Sequence, residues 1–279
     1  MVEETIHQIV TGPAAVVALV ILEWSAGWIA GAAWTQSWDV IRRGHFRISA
    51  WTIAGLTGVG VATYWSIQRA LSTEGALSGL VIAFACTCVL YLLVQYSRTD
   101  LPGVVIGSTG GVVGGAALVM LAGQIEAWPL GLSAAAILSG AVVLGGVVNG
   151  MMLGHWYLNQ PGLKPWALGK LTDATLIAVG ISLVIGVLAG PRLLTASIDG
   201  TGLGLYGGGS NVGTVLYTIW LVLLVFTGVI VWAARRCVAI RSIQSATGLF
   251  YVALLSAGVS EFLVRYLMVN SVSSPMPHG

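Results

Sequence analysis

The chain has very little charge for its length. Only 8% of its 279 residues are Asp, Glu, Lys or Arg, whereas 57% are apolar, and the mean hydropathy is +0.91. A soluble globular domain carries about a quarter charged residues, so the composition excludes that class and indicates an integral membrane protein. The formal net charge is +2, and the sequence contains no basic block to which nucleic acid would bind. Nucleic-acid partners are therefore excluded.

The sequence also lacks the motifs of metal sites and of enzymes that act alone. Its three cysteines are scattered, with Cys86 and Cys88 in an apolar run and Cys237 after two arginines, which argues against a disulfide framework or a zinc site. No Ser-His-Asp order, HExxH or CxxC is present. The run DGTGLGLYGGG resembles a phosphate-binding loop only in its glycines, because no Lys-Ser or Lys-Thr pair follows it. We expect neither a metal nor an independent catalytic centre.

Long apolar segments fill most of the chain. A bilayer core of about 30 Å needs about 20 apolar helical residues, and backbone groups in lipid must be paired within helices or a closed barrel. The segments are long and uninterrupted, so they predict an all-α polytopic bundle of eight transmembrane helices, with residues 1–279 forming one membrane domain. The predicted spans are 13–36, 48–68, 76–97, 102–123, 130–157, 172–191, 212–234 and 246–269.

The distribution of basic residues predicts the orientation. With eight spans, alternate loops share a side of the membrane, and nine Lys or Arg residues fall on one side against two on the other. Positively charged loops stay cytoplasmic, so both termini, the Gly-rich loop 191–213 and the tail 270–279 are expected outside a prokaryotic inner membrane. Glu3 and Glu4 replace the basic start of a signal peptide, which predicts that the first helix is retained.

Three ionisable residues fall within the predicted spans. Each costs roughly 2.5–3.5 kcal/mol on insertion scales and therefore requires a partner or a task. Glu23 and Glu261 are expected at similar depth in the outer half of the membrane, and Arg265 follows Glu261 by four residues, a spacing that permits an ion pair. Glu23 would then lack an obvious partner and be available for proton exchange. The alternative is that these residues only hold helices or neighbouring subunits together.

A second polar group closes the fifth span on the predicted cytoplasmic side. The stretch NGMMLGHWYLNQPGLKP contains Asn149, His155 and Tyr157, and the segment RRGHFR on the same side contains Arg43 and His45. Histidine exchanges protons near neutral pH, and together with tyrosine it can hydrogen-bond a quinone carbonyl. His155 is the strongest candidate in this half of the membrane. The alternative is an interfacial cluster that anchors the end of a helix.

Two histidines from two helices can also hold a b-type haem, with His45 and His155 as the axial ligands. His45 is expected in the headgroup region, however, and the spans offer no further candidates. Quinone is therefore the favoured cofactor over haem, and no covalently bound cofactor is expected.

The last span reads LLSAGVSEFLVRYLM. It resembles the end of the membrane-anchor subunits of dimethyl-sulfoxide-reductase-type complexes, which are related to the NrfD and polysulfide-reductase anchors. Those anchors have eight helices, typically lack haem, and carry a Glu and an Arg four residues apart in the final span, matched here by Glu261 and Arg265. The resemblance implies quinone chemistry and electron transfer with an iron–sulfur subunit docked outside the membrane. It covers the topology and this one motif, and the GHWYL block is not part of it.

These observations predict a membrane subunit of a multi-subunit respiratory complex, which binds quinone or lines a proton path. The expected partners are other membrane subunits, an extracytoplasmic redox subunit and lipids. Two alternatives stay open: a purely structural or assembly subunit, and a small-solute transporter. An inverted-repeat transporter is disfavoured because no internal repeat of sufficient length stands out in the sequence.

Overall fold

The computed structural model describes residues 13–71, 75–125, 128–160, 162–194 and 212–271. Eight long α-helices make up this part of the chain, as the sequence predicts. Residues 195–211 and 272–279, which hold most of the predicted outer loop and tail, lie outside the described residues, as do Glu3 and Glu4. The helices are α1 (Pro13–Gln36), α2 (Arg43–Leu71), α3 (Gly75–Val94), α4 (Leu101–Ala122), α5 (Leu130–Asn159), α6 (Trp166–Leu193), α7 (Val212–Ala239) and α8 (Ile243–Val269).

Seven of these helices, all except α2, are long and apolar enough to cross a membrane. The helix α2 has 29 residues, which at about 1.5 Å per residue is also sufficient in length, but it begins with Arg43 and Arg47 among its first residues. Large apolar side chains such as Val112 and Leu255 are about three-quarters exposed on the outside of the bundle, where lipid would cover them. The chain is thus an integral membrane protein, whereas its orientation and the membrane it occupies stay predictions.

Several helices extend beyond the spans predicted from apolar residues. The helix α2 begins at Arg43 rather than at residue 48, α6 begins at Trp166 rather than at residue 172, and α7 continues to Ala239. The added turns carry basic residues, which the apolar count excludes. An α-helix satisfies its own backbone hydrogen bonds, so it can continue through the headgroup region, where long cationic side chains are solvated.

The packing order of the helices repeats. In the first half of the chain, α1, α2, α3 and α4 form a closed ring of neighbours, and α5, α6, α7 and α8 form a second ring in the same order. The two rings meet mainly along α1 and α5. Each half contains four helices, and if all eight spanned a membrane both halves would enter it from the same side, as in parallel rather than inverted repeats. The sequence gives no sign of this repeated packing.

Glycine allows the two halves to approach closely. A Cβ atom on Gly27 of α1 would lie 1.7 Å from the carbonyl oxygen of Ala141 in α5, and one on Gly145 would lie 2.2 Å from the backbone of Gly27. No other residue fits at either position without moving the helices apart. Close backbone contact at small residues is a general way to pack helices in lipid, where hydrophobic driving force between them is absent.

Candidate functional site

A buried triad of charged residues joins α1 to α8. The Nε atom of Arg265 donates a hydrogen bond to Oε1 of Glu23 over 2.6 Å, and its Nη2 donates to Oε2 of Glu261 over 2.8 Å. The guanidinium also donates to the carbonyl oxygen of Ala136 in α5 and contacts the sulfur of Met268. The three charged side chains are at most 1% exposed. One arginine therefore links three helices in the interior of the bundle.

This arrangement corrects the expectation for Glu23. The structure shows the ion pair between Glu261 and Arg265 that their spacing permits, but Glu23 shares the same guanidinium instead of lying without a partner. Sequence spacing relates residues on one helix, whereas the contact between α1 and α8 depends on how the whole bundle packs. The similar depth expected for Glu23 and Glu261 is what allows one arginine to reach both carboxyl groups.

The triad is not balanced in charge. Two ionised carboxylates around one guanidinium carry a net charge of −1, and an uncompensated charge in a low-dielectric interior is costly. Oε2 of Glu23, Oε1 of Glu261 and Oγ of the adjacent Ser260 are buried and have no hydrogen-bond partner among the described residues. Each carboxyl group thus has one oxygen free to accept a proton. Binding of a single proton makes the triad neutral.

Backbone atoms of α5 complete the site. A Cβ atom on Gly140 would lie 2.2 Å from Nη2 of Arg265 and 2.3 Å from Oε2 of Glu261, so only glycine leaves room for the ion pairs. One turn earlier, Ala136 supplies the carbonyl oxygen that accepts from Nη2. The sequence analysis missed this contribution, because a carbonyl has no signature in the residue letters. Gly140, a glycine in the middle of an apolar helix, is the feature of the sequence that indicates close packing at this position.

Asn149 lies on the same helix as Gly140 but away from the triad. The separation of nine positions corresponds to about 13.5 Å along an α-helix. The amide nitrogen of Asn149 donates to the carbonyl oxygens of Gly145 and Trp28, so it spans the contact between α5 and α1. Its Oδ1 has no hydrogen-bond partner in the part of the chain that the structure describes. Asn149 therefore belongs to the junction of the two halves.

The two candidate histidines occupy different surroundings. His45 is 1% exposed and packs against Trp156, with 5.8 Å between the ring centroids, so it is buried among the helices, whereas its expected depth at the headgroups stays a prediction. His155, the strongest candidate from the sequence, is exposed near the C-terminal end of α5. The neighbouring residue Trp156, and not His155 itself, faces His45.

The GHWYL block shapes the connection between α5 and α6. The hydroxyl of Tyr157 donates to the carbonyl oxygen of Lys164 and accepts from the backbone N–H of Leu168. Trp156 donates through Nε1 to Gln160 over 2.6 Å. These contacts agree with the interfacial anchor that the sequence left open as the alternative for this segment.

Arg43 belongs to another polar group, which we call the Arg43 cluster: Gln36, Arg43, Tyr91, Gln95 and Asp100. The Nε atom of Arg43 donates to Oδ1 of Asp100 over 2.8 Å, and the buried amides of Gln36 and Gln95 bond to each other. Tyr91 donates to Gln36. The cluster holds together the C-terminal ends of α1 and α3 and the N-terminal ends of α2 and α4. Sequence analysis named only Arg43, because glutamines at helix ends do not indicate which neighbours they meet.

Comparison with known proteins gives one informative match. No protein-family model matches the sequence, and no solved structure matches it. Over 145 residues the chain is 32% identical to an uncharacterized transporter of Cutibacterium acnes (strain DSM 16379 / KPA171202). The match covers 46% of this chain and 25% of the relative, so the chain spans about a quarter of the length of that protein.

This similarity contradicts the prediction of a respiratory-complex subunit and agrees with the transporter alternative. The prediction of a respiratory-complex subunit depends on a Glu and an Arg four residues apart in the last helix and on the number of helices. Two residues at helical spacing satisfy a general need for charge pairing in lipid, so they do not distinguish between classes of membrane protein. The expected quinone, the less favoured haem and the redox partner subunit stay untested predictions.

Proposed function

We propose that the chain is a membrane transport protein, or the membrane unit of one, in which movement of a small solute is coupled to a proton. The observation that carries the proposal is the buried triad, in which Glu23 and Glu261 share the single guanidinium of Arg265. The partial similarity to a transporter supports the same class. Ionisable groups inside membrane helices commonly mark ion pathways and proton relays.

The position of the triad suits a coupling role. Arg43 and Asp100 pair within the first half of the chain, and Asp173 and Arg235 pair within the second, whereas the ion pair between Arg265 and Glu23 joins the two halves. Transporters built from parallel repeats alternate access by moving one half against the other. Protonation of Glu23 removes the charge that holds Arg265 to α1. Proton binding would thereby weaken the link between the halves and favour their relative motion.

Transport is tested with the purified chain in liposomes that contain a pH-sensitive dye. An inward proton gradient is imposed while amino acids, small carboxylates and sodium are supplied one class at a time. With at least one of these solutes, we expect protons to enter the liposomes faster than they enter liposomes without protein. Glu23→Gln keeps an oxygen that can accept from Arg265 but removes the titratable group, and it should abolish solute-dependent proton movement.

Asp173→Asn is the matched control because it removes an acid that is half exposed and outside the triad. It should transport like the unmodified chain. Each variant is used only if it elutes as a single species and unfolds at a temperature close to that of the parent chain. Proton movement equal to that of empty liposomes with every class would overturn the transport proposal. Unchanged coupling in Glu23→Gln would overturn the role of the triad while leaving transport in place.

A further inference from the structure

An open cleft of about 490 Å³ lies at the inner end of the second half, between α6 and the turn that joins α7 to α8. We call it the inner cleft. Its charged lining residues are Lys170, Asp173, Arg235 and Arg241, and its apolar lining includes Trp166 and Val238. The cleft is separate from the triad, which α1, α5 and α8 enclose. It faces the side that the basic loops predict to be cytoplasmic.

The inner cleft has an excess of positive charge. Three cations and one carboxylate give a net charge of +2, and Nε of Arg235 pairs with Oδ1 of Asp173 over 2.6 Å. Lys170 and Arg241 therefore have no carboxylate partner among the described residues. The ammonium of Lys170 lies instead 5.4 Å from the ring centre of Trp34 and 5.2 Å from that of Trp38. A cation held over aromatic rings remains available to an anion.

Arg241 occupies a backbone position that favours glycine. Its φ angle is +61°, its N–H donates to the carbonyl of Val238, and the N–H of Ser242 donates to that of Cys237. This pair of bonds is the Schellman motif, in which a left-handed residue after the helix end is usually glycine. An arginine here is conformationally unfavourable, which indicates that its side chain contributes something that offsets the cost. A positive charge in the lining of the cleft is such a contribution.

The surroundings of the cleft match the level of the lipid headgroups. Trp34, Trp38 and Trp166 form a continuous aromatic group, with ring centroids 4.8 Å and 5.5 Å apart. Tryptophan is enriched at the interface between lipid and water. A ligand in this place can have its anionic group beside the cations and its apolar part along the exposed faces of the helices.

From these features we propose that the inner cleft binds the phosphate of an anionic phospholipid of the adjacent leaflet. Lys170 and Arg241 contact the phosphate, Arg235 adds positive charge, and Trp166 and Val238 border the glycerol and acyl region. Basic pockets between transmembrane helices are a known form of headgroup site. The inference is independent of the transport proposal, because it involves neither the triad nor the movement of a solute.

Native mass spectrometry of the full chain in detergent tests the site with phosphatidylglycerol and phosphatidylcholine of identical acyl chains. We expect clear preference for phosphatidylglycerol. Each cation near the headgroup contributes about a fivefold effect, so Arg241→Gly should weaken retention by about fivefold and the double variant Lys170→Gln/Arg241→Gly by about 25-fold. Arg241→Lys should restore most of the retention, since it keeps the charge.

Two controls keep the outcome interpretable. Arg42→Gln/Arg98→Gln removes two exposed cations on the same side but outside the cleft, and it should change retention by less than about twofold. Arg241→Gly should unfold at the same or a higher temperature, because glycine suits a positive φ angle. Equal losses in the control pair and in the cleft pair, or no preference for phosphatidylglycerol, would overturn the proposal. Release of the lipid by millimolar inorganic phosphate would also overturn it, because the site would then bind free anions.

Discussion

Two ion pairs of the same length lie in opposite surroundings. Arg265 with Glu23 and Arg235 with Asp173 each have an N–O distance of 2.6 Å, but the first pair is at most 1% exposed and the second is 36% and 52% exposed. The distance between the atoms therefore does not indicate the energy of the contact. An exposed pair is screened by water and salt, whereas removal of one partner from a buried pair leaves a charge that nothing compensates. The buried pair is therefore expected to contribute strongly to stability, whereas the exposed pair is expected to contribute little.

The most severe test of this difference is Arg265→Gln. It leaves two buried carboxylates facing each other and should lower the free energy of unfolding by about 3–5 kcal/mol. Unfolding of the purified variant in mixed micelles, followed by tryptophan fluorescence against added denaturing detergent, measures the loss.

A triple variant separates charge from packing. Glu23→Gln/Glu261→Gln/Arg265→Gln differs from Arg265→Gln only in that amides of the same size replace the two carboxylates. It has no buried charge, so it should regain most of the stability that Arg265→Gln loses. A triple variant as unstable as the single one would show that the triad stabilises the bundle through shape and not through charge balance.

Gly140→Ala tests how closely the interior fits the triad. The added methyl group would overlap Arg265 and Glu261, and such overpacking should cost about 1–3 kcal/mol. Gly131→Ala on the same helix has nothing within 4 Å of the added Cβ, so it should be neutral or stabilising by up to about 1 kcal/mol. Thermal unfolding of the two variants side by side measures the difference. Equal behaviour would contradict the tight enclosure of the triad.

Arg43→Gln addresses a case between the two extremes. Arg43 and Asp100 are about a quarter exposed, and the guanidinium also donates to two backbone carbonyls. Loss of these charge-assisted bonds should cost about 1–2 kcal/mol, less than at the triad because water reaches the pair. Arg98→Gln, which removes an exposed cation nearby, should leave the unfolding temperature unchanged. If Arg43→Gln lowered the free energy of unfolding as much as Arg265→Gln, the proposal that burial determines the contribution of these ion pairs would be wrong.

The buried region was only partly predictable from the sequence. Apolar length predicts each helix, the spacing of Glu261 and Arg265 permits their pair, and the depth of Glu23 agrees with its contact. The sequence does not reveal that α1 packs against α8 or that Ala136 supplies a carbonyl, because both contacts depend on which helices become neighbours in the folded bundle. In contrast, His155 matches the chemical profile of a site residue but is exposed, since residue type alone does not define which face of a helix is buried.

Asp173→Asn should have the smallest effect on stability, about 0–1 kcal/mol, since both partners of its ion pair are more than one-third exposed. Thermal unfolding at low and high salt measures this, and the difference from the parent chain should shrink further as salt screens the surface charges.

The same substitution raises the net charge of the inner cleft from +2 to +3, so retention of phosphatidylglycerol should increase while stability hardly changes. Gln244→Ala, an exposed substitution outside the cleft, should alter neither quantity. If Asp173→Asn destabilised the chain as strongly as Arg265→Gln, surroundings would not determine the strength of these pairs; weaker lipid retention would instead show that Asp173 positions Arg235 in the cleft.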